Sequence, residues 1–229
     1  MIIFKKSLFF GEEKKEQNIV KKEGNYSLYE RIRYSLYVSF HPFSGFWDLK
    51  HEKIGNIPSA TILLILVNLT YIFMVEYTGF IFNLRDLSRV NIFVEFANIL
   101  IPIFLWCVVN WSLTTLVNGK GKLKDIYIST VYALTPIIII NIPLTVISNY
   151  LIEAEGAFYY FLLSFSVTWS MVLLFFGIMI IHDFDLIKNI WSVVLSIVGI
   201  GVVIFVALMF VTVIEQVYTF FRSIYLELV

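Results

Sequence analysis

Five predominantly apolar runs, each long enough to cross a lipid bilayer as a helix, constrain this chain more than any other feature. They lie at about residues 58–77, 92–117, 126–150, 158–181 and 191–214. A helix needs about 20 apolar residues to cross a ~30 Å hydrocarbon layer, and within lipid it must satisfy its own backbone hydrogen bonds. Because 59% of the 229 residues are hydrophobic, one water-soluble core could not bury them. The sequence predicts an all-α, polytopic integral membrane protein with a bundle of five transmembrane helices.

The basic residues predict the orientation of the bundle, because cytoplasmic segments retain Lys and Arg. Of the 17 Lys and Arg residues, ten precede the first span. Four more follow the second and fourth spans: Lys120, Lys122, Lys124 and Lys188. The other face holds Arg85, Arg89 and Arg222. We therefore expect a multi-pass protein of the cell (plasma) membrane with its N-terminus cytoplasmic and its C-terminus external. Its basic face would attract anionic lipid headgroups, and nothing indicates a nucleic acid partner.

The segments outside the spans fall into three parts. Residues 1–27 are charged and lack apolar periodicity, which predicts a flexible cytoplasmic tail. Residues 28–57 form an amphipathic and aromatic segment, in which Leu28, Ile32, Leu36 and Phe40 recur every four positions. This spacing favours a helix lying in the headgroup zone, and a plain membrane-proximal connector is the alternative. Residues 215–229 are expected to form a short external tail.

Several residues are candidate contacts with headgroups or partner proteins. The Phe43, Phe46 and Trp47 rings suit the aromatic belt of a membrane interface. Gly119–Asp125 reads as the short cytoplasmic turn between the second and third spans, in which Gly119 and Gly121 permit a tight reversal. The candidates are Lys120, Lys122, Lys124, Phe46 and Trp47.

Prolines mark the candidate hinge and packing positions. Pro136 cannot donate a hydrogen bond to the Tyr132 carbonyl, so the third span should bend there. Pro143 is predicted on nearly the same face, with Asn141 between them, which fits either a hinge that lines a cavity or a curved, packed helix.

In the second span, Pro102 frees the Asn98 carbonyl. Asn98 or Asn110 could hydrogen-bond across a helix interface. Both are amides within an otherwise apolar segment.

Catalytic patterns are missing from the sequence. The Gly/Lys tract near Lys120 lacks the first Gly and the final Ser or Thr of a phosphate-binding loop. His41, His51 and His182 are far apart, and His182–Asp185 reads as a helix end followed by a turn rather than a metal site. We expect no catalytic residues, no metal, no cofactor and no enzymatic activity.

A set of short motifs, taken in their order along the chain, resembles the pattern of a known family. They are His-Pro-Phe at His41–Phe43, Gly-Phe-Trp-Asp-Leu at Gly45–Leu49, Gly119–Asp125, "YALTP" at Tyr132–Pro136 and "HDFDLIK" at His182–Lys188. Their order and spacing resemble bacterial members of the Yip family, relatives of the Ypt/Rab-interacting membrane proteins. The resemblance covers about residues 35–214 and implies five helices with a cytoplasmic N-terminus. The association of eukaryotic relatives with small GTPases transfers no contact residue to this chain.

Two functional classes follow from these observations. The first is a membrane organiser or accessory subunit that binds other membrane proteins through helix packing, with a transport system as one candidate partner. The second is a small transporter of an ion or solute, which would need ionisable groups at mid-depth. The two acids associated with the spans, Glu76 and Glu95, are expected near the outer surface, where Arg85 and Arg89 could pair with them. This position favours the organiser.

Overall fold

A computed structural model describes residues 26–83, 85 and 90–228 of the chain. The predicted tail at residues 1–27 lies almost wholly outside the described residues, as does Arg89. In the described part, the regular structure is helical, which confirms the all-α prediction. The α-helices are α1 (Leu28–Phe40), α2 (Pro42–His51), α3 (Ile57–Tyr77), α4 (Ile92–Leu116), α5 (Leu123–Ala133), α6 (Thr135–Ser148), α7 (Gly156–His182) and α8 (Leu186–Leu228).

Five segments of the described chain are long and apolar enough to cross a membrane, as the sequence predicts. They are α3, α4, α5 with α6, α7 together with the short 3-10 turn before it, and α8. Short polar residues start two of them: the Asn56 side chain accepts the Ser59 N–H at the start of α3, and the Asn91 side chain accepts the Phe93 N–H at the start of α4. Side-chain caps of this kind satisfy amide groups that the first helical turn leaves free.

The core of the bundle lies between α1, α2, α3, α5 and α7. Its buried side chains include Val38, Phe46, Leu63, Tyr132 and Leu173. α7 packs against α2, α5 and α6, and α3 packs against α5 and α6. α4 joins α5 to α8 at the side of this core.

The two ends of the bundle are held by different contacts. At one end, which we call the basic end, the α4–α5 turn lies against the start of the α7–α8 turn, where the Gly121 N–H donates to His182 Nδ1 at 3.3 Å. At the opposite end, the Gly79 N–H after α3 donates to the Ser148 hydroxyl at the end of α6 at 2.9 Å. Spans that run alternately between these ends place Lys120, Lys122 and Lys124 at the basic end, together with Lys188 in the first turn of α8.

The last helix differs from its predicted extent. The apolar run predicts a span over about residues 191–214 followed by a tail, whereas α8 is one helix of 43 residues from Leu186 to Leu228. No proline interrupts this stretch, so the helix continues through the polar positions after Ile214. Every side chain from Gly201 to Leu226 is exposed. α8 therefore packs on the bundle only through its first part.

Candidate functional site

Tyr132 is the centre of a polar junction inside the apolar core. Its side chain is fully buried, and its hydroxyl donates to the Arg31 carbonyl at 3.0 Å and lies 2.9 Å from the Ser59 hydroxyl. Arg31 itself is buried, and its guanidinium donates to the carbonyls of Lys53 and Ile54. The junction thus fastens α1, the α2–α3 connection, the start of α3 and α5 to one another.

The third span breaks at the predicted position. α5 ends at Ala133 and α6 begins at Thr135, with Pro136 in its first turn. The Tyr132 carbonyl, which cannot receive a hydrogen bond from proline, accepts the Thr135 hydroxyl at 2.8 Å. The predicted bend is confirmed, and a neighbouring side chain compensates for the missing backbone donor.

The two prolines of this span lie in different surroundings. Pro136 is buried, whereas Pro143 is exposed on the outside of α6. Asn141 is 3% exposed, and its side-chain oxygen has no hydrogen-bond partner among the described residues. Both prolines lie within α6, seven residues apart, so they occupy nearly the same side of that helix, but only Pro136 is covered by neighbouring helices. Whether the span moves as a hinge stays a prediction.

In the second span, one of the two predicted amide contacts crosses a helix interface. The Asn110 amide donates to the Ser196 hydroxyl at 3.1 Å and joins α4 to α8. Asn98 instead donates to Glu95 within α4 at 3.3 Å, because it lies on the exposed side of the helix. Pro102 is also exposed. The interhelical contact is confirmed for Asn110 and not for Asn98.

The two glycines of the α4–α5 turn allow close contact with His182. A Cβ atom on Gly119 would lie 2.5 Å from His182 Nδ1, and one on Gly121 would lie 2.6 Å from a methyl carbon of Ile181. The left-handed residue of this turn is Asn118, with a φ of 58°. The glycines are therefore needed for space beside α7, and the reversal itself depends on Asn118.

Charged side chains surround this turn. Lys120 donates to Asp183 at 2.8 Å, and this contact holds the pKa of the Asp183 carboxyl below its usual range. Lys50 donates to the Ile180 carbonyl at the end of α7, and partial burial lowers the pKa of its ammonium group. Lys122 and Lys124 are exposed, as a headgroup contact would require. Among the described residues, no three His, Cys, Asp or Glu side chains come together to hold a metal ion.

The two aromatic candidates have opposite positions. Phe46 is fully buried, with its ring against Gly177, so the prediction that it contacts headgroups or a partner is wrong. The reason is that α2 packs on α7 through this face. Trp47 is 52% exposed and stacks on His51, and its contact with headgroups or a partner stays a prediction.

The acids expected at the outer surface lie at the end opposite the basic end. Arg85 and Glu95 form an ion pair at 3.3 Å, which confirms the expected pairing for these two residues. Glu76 is exposed and borders a shallow groove between α3 and α6, beside Phe73, Thr145 and Asn149. Neither acid lies at the middle of a span.

Sequence reasoning missed the roles of Arg31 and Ser59. The available signal is the spacing of Arg31, Ser35 and Val38, which places them on one face of α1, next to the apolar stripe. The structure buries that face and exposes Leu28, Leu36 and Phe40. The buried Arg31 indicates that α1 packs against backbone carbonyl groups, because these accept hydrogen bonds from its guanidinium.

These helices and contacts define a multi-pass, all-α membrane protein. The family model of the Yip1 domain matches residues 36–208, well over half of the chain, and the chain belongs to this family. The match begins within α1, after Arg31, and includes α2, Ser59 and Tyr132 of the junction, and both turns of the basic end. No curated protein and no solved structure matches the chain.

Proposed function

We propose that this Yip-family chain is a membrane organiser or accessory subunit, which binds other integral membrane proteins by helix packing and catalyses no reaction. The proposal rests on the exposure of α8. All its residues from Gly201 to Leu226 are exposed, so no other part of the described chain covers them. A helix of 43 residues is about 64 Å long, roughly twice the hydrocarbon thickness. Lipid can cover only part of that length.

The far part of α8 has the pattern of a helix that needs a partner. Thr212, Glu215, Gln216 and Thr219 follow one another at helical spacing and form a polar stripe. Apolar rings and side chains occupy the other sides, among them Phe220 and Phe221, which are 62% and 64% exposed. Beyond the bilayer, such a face gains free energy when a partner helix covers it.

The first part of α8 gives the partner a fixed support. Asn110 and Ser196 join α4 to α8 through a hydrogen bond, and a Cβ on Gly199 would lie 2.8 Å from Leu113. These contacts hold one half of α8 against the bundle and leave the other half free. The partner is therefore expected to be another membrane protein that approaches from the side of α8.

A site-specific crosslinking experiment tests the proposal. A photo-reactive amino acid replaces Phe205 or Phe220 on α8 in cells, and Phe161, 65% exposed on α7, serves as the matched control. We expect the same protein to be captured from both α8 positions and not from position 161. Equal capture from all three positions would contradict a docking role for α8.

A transport assay separates this proposal from the alternative of a small transporter. The two buried charged side chains of the described residues, Arg31 and Glu95, lie far apart on α1 and at the start of α4, which supports a packed bundle rather than an ion path. We expect reconstituted vesicles to show no saturable uptake of ions, protons or small sugars. Uptake that Glu76→Gln or Glu95→Gln abolishes would overturn the proposal.

The orientation is part of the same proposal, with the basic end and the N-terminus in the cytoplasm. The lysines at both turns of the basic end support it. Reporters fused after Lys124 or Lys188 should behave as cytoplasmic, and reporters fused after Glu155 or Val229 as external. A cytoplasmic reporter at Val229 would contradict an odd number of spans.

A further inference from the structure

α1 and α2 form a tight helical hairpin, although neither helix is long enough to cross a membrane. α1 has 13 residues, α2 has 10, and only His41 separates them. The two helices approach so closely at Gly45 that a Cβ there would lie 2.8 Å from the Val38 Cα. This is the geometry of a compact antiparallel pair with a defined tip at residues 40–42.

The tip of the hairpin lies near the middle of α7, far from either end of the bundle. The Trp169 indole N–H donates to the Ser39 carbonyl at 3.1 Å. Trp169 lies 13 residues before His182, which is about 20 Å along the helix at 1.5 Å per residue. Helical side chains tilt towards the N-terminal end of their helix, so this ring points away from the basic end. The end of α1 is therefore about 20 Å from the basic end.

From this tip, α2 returns to the basic end along α7. The Phe43 and Phe176 rings are 4.7 Å apart, and Phe176 lies about 9 Å from His182 along α7. Lys50, near the end of α2, donates to the Ile180 carbonyl at 3.2 Å, beside the end of α7. α2 is about 15 Å long, which equals half of a ~30 Å hydrocarbon layer. The hairpin enters and leaves at the same end of the bundle.

Several polar groups at the tip are paired within the protein, which lowers the cost of placing them in hydrocarbon. Pro42 has no N–H to leave unpaired, and the Ser39 carbonyl is bonded to Trp169. The Ser39 hydroxyl donates to the Ser35 carbonyl at 2.9 Å, and the His41 N–H donates to the Tyr37 carbonyl at 2.8 Å. His41 and Ser44 are exposed polar residues near the tip; the His41 ring stacks on Tyr37 with their centroids 4.5 Å apart, and the Ser44 hydroxyl lies 3.3 Å from the Tyr37 hydroxyl.

The outer edge of the hairpin is apolar and aromatic. Leu36 is 44% exposed, Phe40 71%, Phe43 57% and Trp47 52%. The inner edge, with Val38, Gly45 and Phe46, packs into the bundle core. A segment at this depth with such an edge is suited to contact with lipid acyl chains.

We propose that α1–α2 is a re-entrant hairpin, which enters the bilayer from the basic end, reaches about the midplane at Phe40–Pro42, and contacts the acyl chains of that one leaflet. This position is deeper than the headgroup zone that the sequence predicts for residues 28–40. The difference arises because α1 buries Arg31, Ser35 and Val38 against the bundle and leaves its apolar stripe for lipid. The proposal does not depend on the function of α8.

Depth-dependent fluorescence quenching tests this position in the full-length protein. Single cysteines are introduced by Phe40→Cys, Met171→Cys or Leu186→Cys, labelled with a small fluorophore, and reconstituted in phosphatidylcholine vesicles containing phosphatidylglycerol. Met171 is exposed on α7, about 16 Å from the basic end, and Leu186 is exposed at the start of α8. The wild-type chain is the control for background labelling, because its cysteine, Cys107, is buried and should not react with the fluorophore.

We expect the label at position 40 to be quenched more by a nitroxide on carbon 12 of the acyl chain than by one on carbon 5, as at position 171. The label at position 186 should show the opposite order. Quenching at position 40 that follows position 186 would place the hairpin in the headgroup zone and overturn the proposal. A size-exclusion elution volume equal to that of the wild type excludes a misfolded variant. Trp47→Cys, expected at intermediate depth, gives a second measurement of the depth of the hairpin.

Discussion

The α1–α2 hairpin and the far half of α8 are both rich in aromatic side chains, yet they have opposite relations to the bundle. The hairpin is short and contributes Val38 and Phe46 to the core, and Arg31 and Tyr132 fasten it through hydrogen bonds. The far half of α8 is long and apolar, and every described side chain after Gly201 is exposed. The difference shows that hydrophobicity alone does not determine packing in a membrane protein. Small residues and polar contacts determine which helices associate.

The largest effect should come from changes where the hairpin meets α7. In Gly177→Leu, the new side chain would overlap the Ser129 hydroxyl and the Phe46 ring, so the hairpin must move off α7. We expect a loss of several kcal/mol of unfolding free energy, on the scale of about 3–5 kcal/mol for removal of a buried aromatic side chain. Unfolding in mixed detergent micelles measures it, and Gly201→Leu is the control, since a Cβ at Gly201 meets no atom within 4 Å. Equal effects of both changes would remove the contrast between the two regions.

The next effect should come from the Tyr132 junction. Tyr132→Phe keeps the ring and removes the hydroxyl, which leaves the buried Arg31 carbonyl without that donor. An unsatisfied buried group costs about 1–3 kcal/mol, and we expect destabilisation in this range. Tyr218→Phe, on the exposed part of α8, should change stability little. An unchanged unfolding midpoint for Tyr132→Phe would mean that the junction does not fasten the hairpin.

Substitutions on the far half of α8 should affect partner binding and leave the fold unchanged. Phe220→Ser combined with Phe221→Ser should alter the unfolding free energy by less than about 0.5 kcal/mol, because neither ring is buried. Recovery of the partner in mild detergent should fall by about tenfold, as expected when an interface loses an aromatic anchor. Phe161→Ser on α7 is the control. Unchanged recovery of the partner with the double variant would indicate that lipid, and not a partner protein, covers the far half of α8.

The smallest effect should come from the exposed Lys120–Asp183 pair at the basic end. Its contact lowers the pKa of Asp183 in the folded protein, so its stabilisation is present above the unfolded pKa of about 3.9 and is lost as the pH falls through the lower folded value. Asp183→Asn should cost at most about 1 kcal/mol at pH 7, because exposed pairs contribute little. Unfolding midpoints at pH 7 and pH 3 measure the change. A difference from wild type that is as large at pH 3 as at pH 7 would point to a cause other than charge.

Much of the fold could be predicted from the sequence because a membrane span depends on the composition of one continuous segment. Charge-free runs around Leu63, Val108 and Leu173 identify their helices without any knowledge of neighbours. The break at Pro136 was also accessible, because proline removes a hydrogen bond wherever it lies. These features are local properties of the chain.

The sites were harder to predict because they depend on contacts between distant residues. The sequence places Phe46 and Trp47 in the same aromatic cluster, yet one is buried and the other is half exposed. Arg31 and Tyr132, 101 positions apart in the chain, meet only in the folded protein. The extent of α8 was underestimated because a helix does not have to end where its hydrophobicity ends.

A hairpin that enters one leaflet and stops near the midplane makes the protein asymmetric in cross-section. The spanning helices add area to both leaflets, whereas α1 and α2, each about 10 Å across with their side chains, add area only on the side of the basic end. The bundle is therefore wider there, like a wedge with its broad edge at the basic end. A molecule of this shape relieves bending stress where the membrane bulges towards its broad edge, so local curvature would influence where it accumulates.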